Sequence, residues 1–101
     1  MAMEFLAIIP ARYGSTRFPG KPLIDLSGKS MIERVYKQAA QVFDNLYVAT
    51  DHPKIYDEVL SFGGRALMTA TSHTNGTSRV AEAMVKIEKL RGRACKYVVN
   101  I

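Results

Sequence analysis

Three basic side chains, Arg12, Arg17 and Lys21, lie in one short segment with no acidic residue between them. The same segment contains Gly14 and Gly20, which let the backbone approach a ligand closely, and two prolines that stiffen the chain. An arginine binds a phosphate group as a planar fork, whereas a lysine binds it as a point charge. Backbone N–H groups in such a segment can also point inward at an anion. The pattern therefore predicts a triphosphate-binding loop.

The spacing of the glycines separates this loop from the common phosphate-binding motifs. A Walker A loop has four residues between its first glycine and the Gly-Lys pair, and the segment from Gly14 to Lys21 is longer than that. Pro22 stands where that motif has the Ser or Thr that holds magnesium. A solvated basic connector is the alternative interpretation. We favour a binding loop because a long irregular segment in a compact domain is usually functional.

The elements that must position this loop follow from the hydrophobic pattern. Continuous apolar runs predict strands buried on both faces. These strands are residues 5–9, 46–50, 65–68 and 97–101, and residues 10–28 are predicted as a long loop after the first of them. Between the strands, apolar residues recur at helical spacing.

The predicted helices have recognisable ends. Ser30 and Glu33 form a capping box at the start of the first helix. Asp51 is the expected N-cap of the second helix, which Gly63 terminates. A third helix runs from the region of Gly76, carries an apolar face that includes Leu90, and stops at the next glycine.

The order β-α-β-α-β-α-β predicts an α/β fold, a Rossmann-like and mostly parallel sheet with helices on both faces. Residues 1–101 form one unit in this interpretation. In such a sheet, ligands bind outside the carboxyl ends of the strands, which is where the basic loop lies. The sequence ends on an apolar strand, so we expect it to be the N-terminal part of a larger, truncated domain.

Composition narrows the functional classes. The chain has 101 residues, a formal net charge of +5 and a single cysteine, Cys95, so an internal disulfide is impossible. No apolar run approaches the roughly 20 residues of a membrane span, and we expect a cytoplasmic protein. The pI near 9.6 raises the possibility of a nucleic-acid-binding module. Against this, the basic residues cluster in a Gly/Pro loop, and no RNP, KH or helix-turn-helix pattern occurs.

Other polar and aromatic side chains have two interpretations each. His73 could donate to a phosphate or a base, or it could stabilise its own loop. Tyr13 and Phe18 could stack on a base, or they could pack the long loop onto the sheet. His52 precedes a proline and is expected to be exposed.

The motifs together resemble a known family, the CMP-Kdo synthetases (3-deoxy-manno-octulosonate cytidylyltransferases). Three segments carry the resemblance over almost all of the chain: residues 8–12 with Ser15, Arg17, Pro19, Lys21 and Pro22; residues 48–51; and residues 68–82. The acylneuraminate cytidylyltransferases share part of the first segment, but typically have Asn where this chain has Pro22.

The resemblance implies a role for each matching residue. Arg12, Ser15, Arg17 and Lys21 would hold the phosphates of CTP, with Lys21 and Arg12 as the catalytic cations. Pro10 and Ala11 would border the base. The remaining nucleotide-pocket residues would be Gly76, Thr77 and Arg79. The family usually has an acidic residue where this chain has Ser78, which affects either a base contact or merely the start of a helix.

The implied reaction transfers CMP from CTP to the anomeric hydroxyl of the sugar acid Kdo, for bacterial lipopolysaccharide biosynthesis. The partners would be CTP and Kdo, with no nucleic acid and no membrane, and the complete enzyme would be a homodimer. The Mg²⁺ cofactor would have its ligands beyond Ile101, so we predict no metal ligand in this chain and no activity from these residues alone. An enzyme for acylneuraminate or another sugar acid, and a non-catalytic nucleotide-binding fragment, are the alternatives.

Overall fold

A computed structural model describes residues 3–14, 20–73, 75–92 and 94–101. Its strands are β1 (Met3–Ala11), β2 (Asp25–Leu26), β3 (Lys29–Ser30), β4 (Leu46–Thr50), β5 (Ala66–Met68) and β6 (Cys95–Asn100). Its helices are α1 (Met31–Ala40), α2 (Pro53–Ser61) and α3 (Gly76–Arg91), and a short 3-10 helix spans Lys21–Leu23. No helix in these described ranges is long and apolar enough to cross a membrane.

The main sheet has the order β5-β4-β1-β6, and all three of its strand pairs are parallel. If the four strands of this sheet are numbered along the chain, their spatial order is 3-2-1-4, as in the first four strands of a Rossmann-type sheet. This confirms the predicted fold class. The strands β4 and β5 are added on one side of β1, and β6 is added on the other side. The topological switch point therefore lies between β1 and β6.

Both faces of the sheet are covered by helices. The side chains of β1 alternate, with Ala7 and Ile9 on one face and Leu6 and Ile8 on the other, and all four are buried. The first face packs against α1 and α2 through buried residues of both helices: Ile32, Ala39, Ile55 and Val59. The second face packs against α3 through Val80, Ala83 and Ile87.

Three of the four predicted helix ends agree with the structure, including Gly63, which follows the end of α2 with φ 85°. The Glu33 N–H donates to Ser30 Oγ at 3.2 Å, which confirms the cap of α1. Gly92 ends α3 in the left-handed conformation, with φ 66°, which favours glycine. The predicted cap of α2 was wrong: His52, not Asp51, is the N-cap, and its Nδ1 accepts from the Lys54 N–H at 3.1 Å.

The predicted loop 10–28 was too long. The strand β1 continues to Ala11, and the 3-10 helix and β2 also form within this range. A 3-10 turn follows Gly20, and β2 and β3 make a small hairpin. Ser27 and Gly28, with φ 58° and 92°, form its tip, and Asp25 Oδ1 accepts from the Gly28 N–H at 2.9 Å. Leu90, expected on the buried face of α3, is 78% exposed, because it lies in the last turn of the helix, which ends at Arg91.

Candidate functional site

The carboxyl ends of the parallel strands meet at one edge of the sheet. Ala11 at the end of β1 pairs with Thr50 at the end of β4, which in turn pairs with Met68 at the end of β5. Two open clefts lie at this edge, one on each side of β1. We call them the α3 cleft and the α1 cleft after the helix that borders each.

The α3 cleft has a volume of about 280 Å³. It is lined by Pro10, Arg12, His73, Asn75, Gly76 and Arg79. Four of the nine residues predicted to bind the nucleotide are therefore brought together here from segments far apart in sequence. The volume is close to the lower end of the range of about 300–1,000 Å³ that is typical of small-molecule sites.

The α1 cleft, of about 420 Å³, lies at the topological switch point between β1 and β6. Its polar rim contains Arg12 and Lys21, and the predicted residues Pro10 and Ala11 lie beside them. Apolar side chains complete the lining: Ile9, Pro22, Met31, Ile32, Val35 and Ile101. Pro10 and Arg12 border both clefts and so form the wall between them.

The remaining predicted residues divide into two groups. Thr77 is exposed on α3 and lines neither cleft. Ser15 and Arg17 lie outside the described residues, as does Phe18, so the structure gives no position for their side chains.

The charge of the two clefts is positive. No Asp or Glu side chain is among the described residues that line either of them. Arg12 and Lys21 are exposed, and neither side chain has a hydrogen-bond or ion-pair partner within the described part of the chain. By contrast, Lys37 and Lys86 are each paired with a glutamate one helical turn away. The exposed cations of the clefts are therefore available to an anionic ligand.

Gly76 brings the start of α3 close to the end of β1. A Cβ atom at this position would lie 3.1 Å from Cγ of Pro10, closer than most real contacts. The absence of a side chain at Gly76 therefore sets the distance between the two walls of the α3 cleft.

Arg79 occupies a different environment from the other predicted cations. Its side chain is 3% exposed, and its Nη1 donates to Thr69 Oγ1 at 2.6 Å and to the Ala70 carbonyl at 3.1 Å. Its Nη2 donates to Asp51 Oδ2 at 3.4 Å. Arg79 thus lines the α3 cleft and at the same time braces the segments that follow β4 and β5.

His73 stabilises its loop, one of the two roles considered for it. Its Nδ1 lies 3.0 Å from Ser78 Oγ and its Nε2 lies 2.6 Å from Glu82 Oε1. Hydrogen bonding from Lys86, reinforced by the Ala70 N–H and by His73, lowers the pKa of Glu82 from 4.5 to about 2. The glutamate is therefore ionised at neutral pH and holds the loop against α3.

Ser78 belongs to the first turn of α3. Its N–H donates to Asn75 Oδ1 at 2.8 Å, and its hydroxyl donates to the Asn75 carbonyl at 3.1 Å. Asn75 is the N-cap of the helix. The position where the family has an acidic residue is thus a helix-start position in this chain.

Tyr13 packs onto the sheet, as one of its two interpretations predicted. Its ring stacks on His52 with a centroid distance of 4.0 Å, so His52 is half-buried rather than exposed. Its N–H donates to Asp51 Oδ1 at 3.1 Å, and its carbonyl accepts from the Gly20 N–H at 2.8 Å. Sequence reasoning missed these contacts of Asp51. Its place directly after a strand that neighbours β1 was the signal that could have revealed them.

Comparisons with known proteins show the family of this chain. The profile of a family described as cytidylyltransferase matches residues 6–101. A 3-deoxy-manno-octulosonate cytidylyltransferase of Parabacteroides distasonis is 52% identical over 99 residues, which cover 98% of this chain and 38% of the relative. An enzyme of the same name from Fusobacterium nucleatum is 58% identical over 86 residues, 84% of this chain and 35% of the relative.

A solved structure is also similar. It is the structure of CMP:2-keto-3-deoxy-manno-octonic acid synthetase complexed with CTP, with a TM-score of 0.80 and 49% sequence identity. The match covers 84% of this chain and 36% of that one. The chain therefore spans well under half of the length of the relatives that it matches.

Proposed function

Because the chain belongs to the cytidylyltransferase family, we propose that it forms the nucleotide-binding part of an enzyme that transfers CMP from CTP to the anomeric hydroxyl of Kdo. The names of its relatives support Kdo as the acceptor, and the CTP in the similar structure supports the nucleotide. We call a protein of the relatives' length that contains these residues the complete enzyme. A cytoplasmic location and a homodimeric assembly belong to the same proposal and rest on the resemblance.

The observation that carries the proposal is the position of Arg12 and Lys21. Both are exposed, both border the cleft at the switch point, and neither has a partner among the described residues. Cations in such a position bind phosphate oxygens strongly, because each contact is charge-assisted. We assign the phosphates of CTP to these two side chains together with Ser15 and Arg17. The nucleoside is assigned to the α3 cleft, between Pro10 and Gly76.

The proposed reaction is a direct displacement. The anomeric hydroxyl oxygen forms a bond to the α-phosphorus while the bond from that phosphorus to the bridging oxygen of the β-phosphate breaks. The products are CMP-Kdo, pyrophosphate and the proton of the hydroxyl. Catalysis of such a transfer consists mainly of positioning and charge stabilisation. Arg12 would orient the triphosphate, and Lys21 would stabilise the negative charge that moves onto the departing pyrophosphate.

Magnesium is a further part of the proposal, but the described residues do not fit a magnesium site of their own. No Asp or Glu side chain is among the described residues that line either cleft, and the described residues contain no group of three His, Cys, Asp or Glu side chains that could hold a metal ion. Asp51 already accepts hydrogen bonds on both carboxylate oxygens. Magnesium commonly binds through substrate phosphates and one or two carboxylates. We therefore propose that CTP and carboxylates outside these residues hold the ion.

The test of the function compares nucleotides and acceptors with the complete enzyme. CTP with magnesium should raise the melting temperature more than ATP, GTP or UTP at equal concentration. A ligand at 100 times its Kd stabilises by about 2.7 kcal/mol, which is readily measured. Pyrophosphate release should require CTP and Kdo together.

Three results would overturn the proposal. Equal stabilisation by all four nucleotides would remove the preference for cytidine. Turnover with an acylneuraminate and none with Kdo would reassign the acceptor. Release of pyrophosphate without any acceptor would identify a hydrolase instead of a transferase.

A further inference from the structure

Asp51 connects the two clefts without lining either of them. Its side chain is 13% exposed, and the residues that border the clefts do not include it. One carboxylate oxygen accepts the Tyr13 N–H, and the other accepts from Arg79. The carboxylate therefore joins the segment after β1 to the first turns of α3, across the end of β4.

The contact with Tyr13 fixes the base of the basic loop. Tyr13 is held by Asp51 at its N–H, by Gly20 at its carbonyl and by His52 at its ring. Gly20 has φ 75°, and a Cβ atom there would lie 3.1 Å from the Tyr13 ring. The two ends of the loop are thus clamped together, and the next residue after Gly20 is Lys21.

The contact with Arg79 fixes the opposite wall. The guanidinium has two other acceptors, Thr69 Oγ1 and the Ala70 carbonyl, both after β5. Asp51 supplies the carboxylate that balances the charge of this buried side chain. An unbalanced charge at 3% exposure would be strongly unfavourable. The orientation of Arg79 in the α3 cleft therefore depends on Asp51.

From this geometry we propose that Asp51 is a positioning residue for CTP, holding the phosphate loop through Tyr13 and the nucleoside cleft through Arg79. The identity of the ligand, CTP, rests on the proposed function, whereas the contacts of Asp51 do not depend on it. Asp51 touches no reacting atom and acts through its two neighbours. Its loss should weaken the alignment of the triphosphate with the acceptor, and a misalignment of 1 Å can cost about 100-fold in rate.

Two substitutions separate the two contacts. Asp51→Asn can keep an oxygen on the Tyr13 N–H but places an amide donor against the donors of Arg79. Asp51→Ala removes both contacts. Asp57→Ala is the matched control, because Asp57 is exposed on α2, away from both clefts. For the complete enzyme we expect kcat/KM for CTP to fall by about 100-fold in Asp51→Ala, by less in Asp51→Asn, and to be unchanged in Asp57→Ala.

Amide hydrogen exchange in the complete enzyme, measured without nucleotide, supplies a second test that does not depend on activity. The Tyr13 amide should lose at least about tenfold of its protection in Asp51→Ala and keep it in Asp51→Asn. The Val48 amide, which donates to the Arg65 carbonyl inside the sheet, reports global opening, so its protection should fall only as far as the unbalanced Arg79 charge destabilises the fold, and by less than that of Tyr13 in Asp51→Ala. Equal loss of protection at Tyr13 and Val48 would reduce Asp51 to a stability role and overturn the proposal.

A second outcome also overturns it: unchanged kcat/KM in Asp51→Ala while the wild-type enzyme is active. If the wild-type enzyme does not use CTP and Kdo, the proposed function fails. The exchange pattern at Tyr13 then still decides whether Asp51 holds the loop.

Discussion

Replacing Arg79 with methionine removes a buried charge and keeps much of the volume of the side chain. The substitution deletes two hydrogen bonds to the segment after β5 and the ion pair with Asp51. Methionine fills irregular spaces well, so the cavity that remains should be small. The expected loss of stability is therefore electrostatic rather than a packing defect.

The size of the loss follows from the burial of the partners. Removing one member of a buried ion pair typically costs about 3–5 kcal/mol. Asp51 is 13% exposed and keeps the hydrogen bond from Tyr13, so its unpaired charge is partly solvated. We therefore expect the low end of that range, about 3 kcal/mol. For a chain of this size, this corresponds to a decrease in melting temperature of about 12–24 °C.

Thermal and urea unfolding of Arg79→Met in the 101-residue chain measure this loss directly. Arg65→Met is the matched control: Arg65 is exposed, with one long hydrogen bond to the Asp44 carbonyl and a contact with the Tyr47 ring. It should lose less than about 1 kcal/mol. If Arg79→Met melted within about 4 °C of the wild type, the bracing contacts would contribute little. Arg79 would then serve the ligand and not the fold.

Two further predictions concern the loop and the third helix. Lys21→Ala should lower kcat of the complete enzyme by about 100-fold, because one such charge-assisted contact contributes about 3 kcal/mol. Lys29→Ala in the hairpin is the control and should leave kcat unchanged. Wild-type turnover by the Lys21 variant would exclude Lys21 as the catalytic cation. Glu82→Gln should lower stability at pH 7 by about 1 kcal/mol, a value reduced for solvent screening. Because folding lowers the pKa of Glu82 from 4.5 to about 2, its contribution is complete above pH 4.5 and is lost as the pH falls towards 2. Unfolding curves of the two proteins should therefore converge at low pH, and a constant difference down to pH 2 would contradict this assignment.

The sequence predicted the ends of an element well where local residues mark them. The strand Leu46–Thr50 agrees residue for residue, because polar residues enclose its apolar run on both sides. The length of β1 could not be predicted in this way. Its pairing with β6 starts at Met3, and its pairing with β4 extends to Ala11. Two ladders that are offset along the same strand set its ends, and the offset is a property of the sheet.

Residue types predicted where the cations of the site lie, but not what each one contacts. Arg12 and Arg79 look alike in sequence, yet one is exposed at the cleft and the other is 3% exposed. The difference depends on a carboxylate 28 residues away from Arg79. The cap of α2 shows the same limit. Both Asp51 and His52 can cap a helix, and the contact of Asp51 with the distant Tyr13 N–H leaves the cap to its neighbour.

The arrangement of the two clefts restricts the shape of the ligand as well as its charge. Arg12 and Pro10 border both clefts, so a single molecule that passes this wall can occupy both of them. On the α3 side the lining consists of a close glycine–proline contact, polar side chains and Arg79, which already has its own acceptors. On the α1 side Lys21 joins Arg12 without any Asp or Glu side chain among the described lining residues. A ligand with an uncharged ring at one end and several negative charges at the other matches this asymmetry, whereas a compact anion would leave the α3 cleft unfilled. Inorganic triphosphate should therefore bind more weakly than CTP. The difference in binding free energy would be the contribution of the contacts in the α3 cleft.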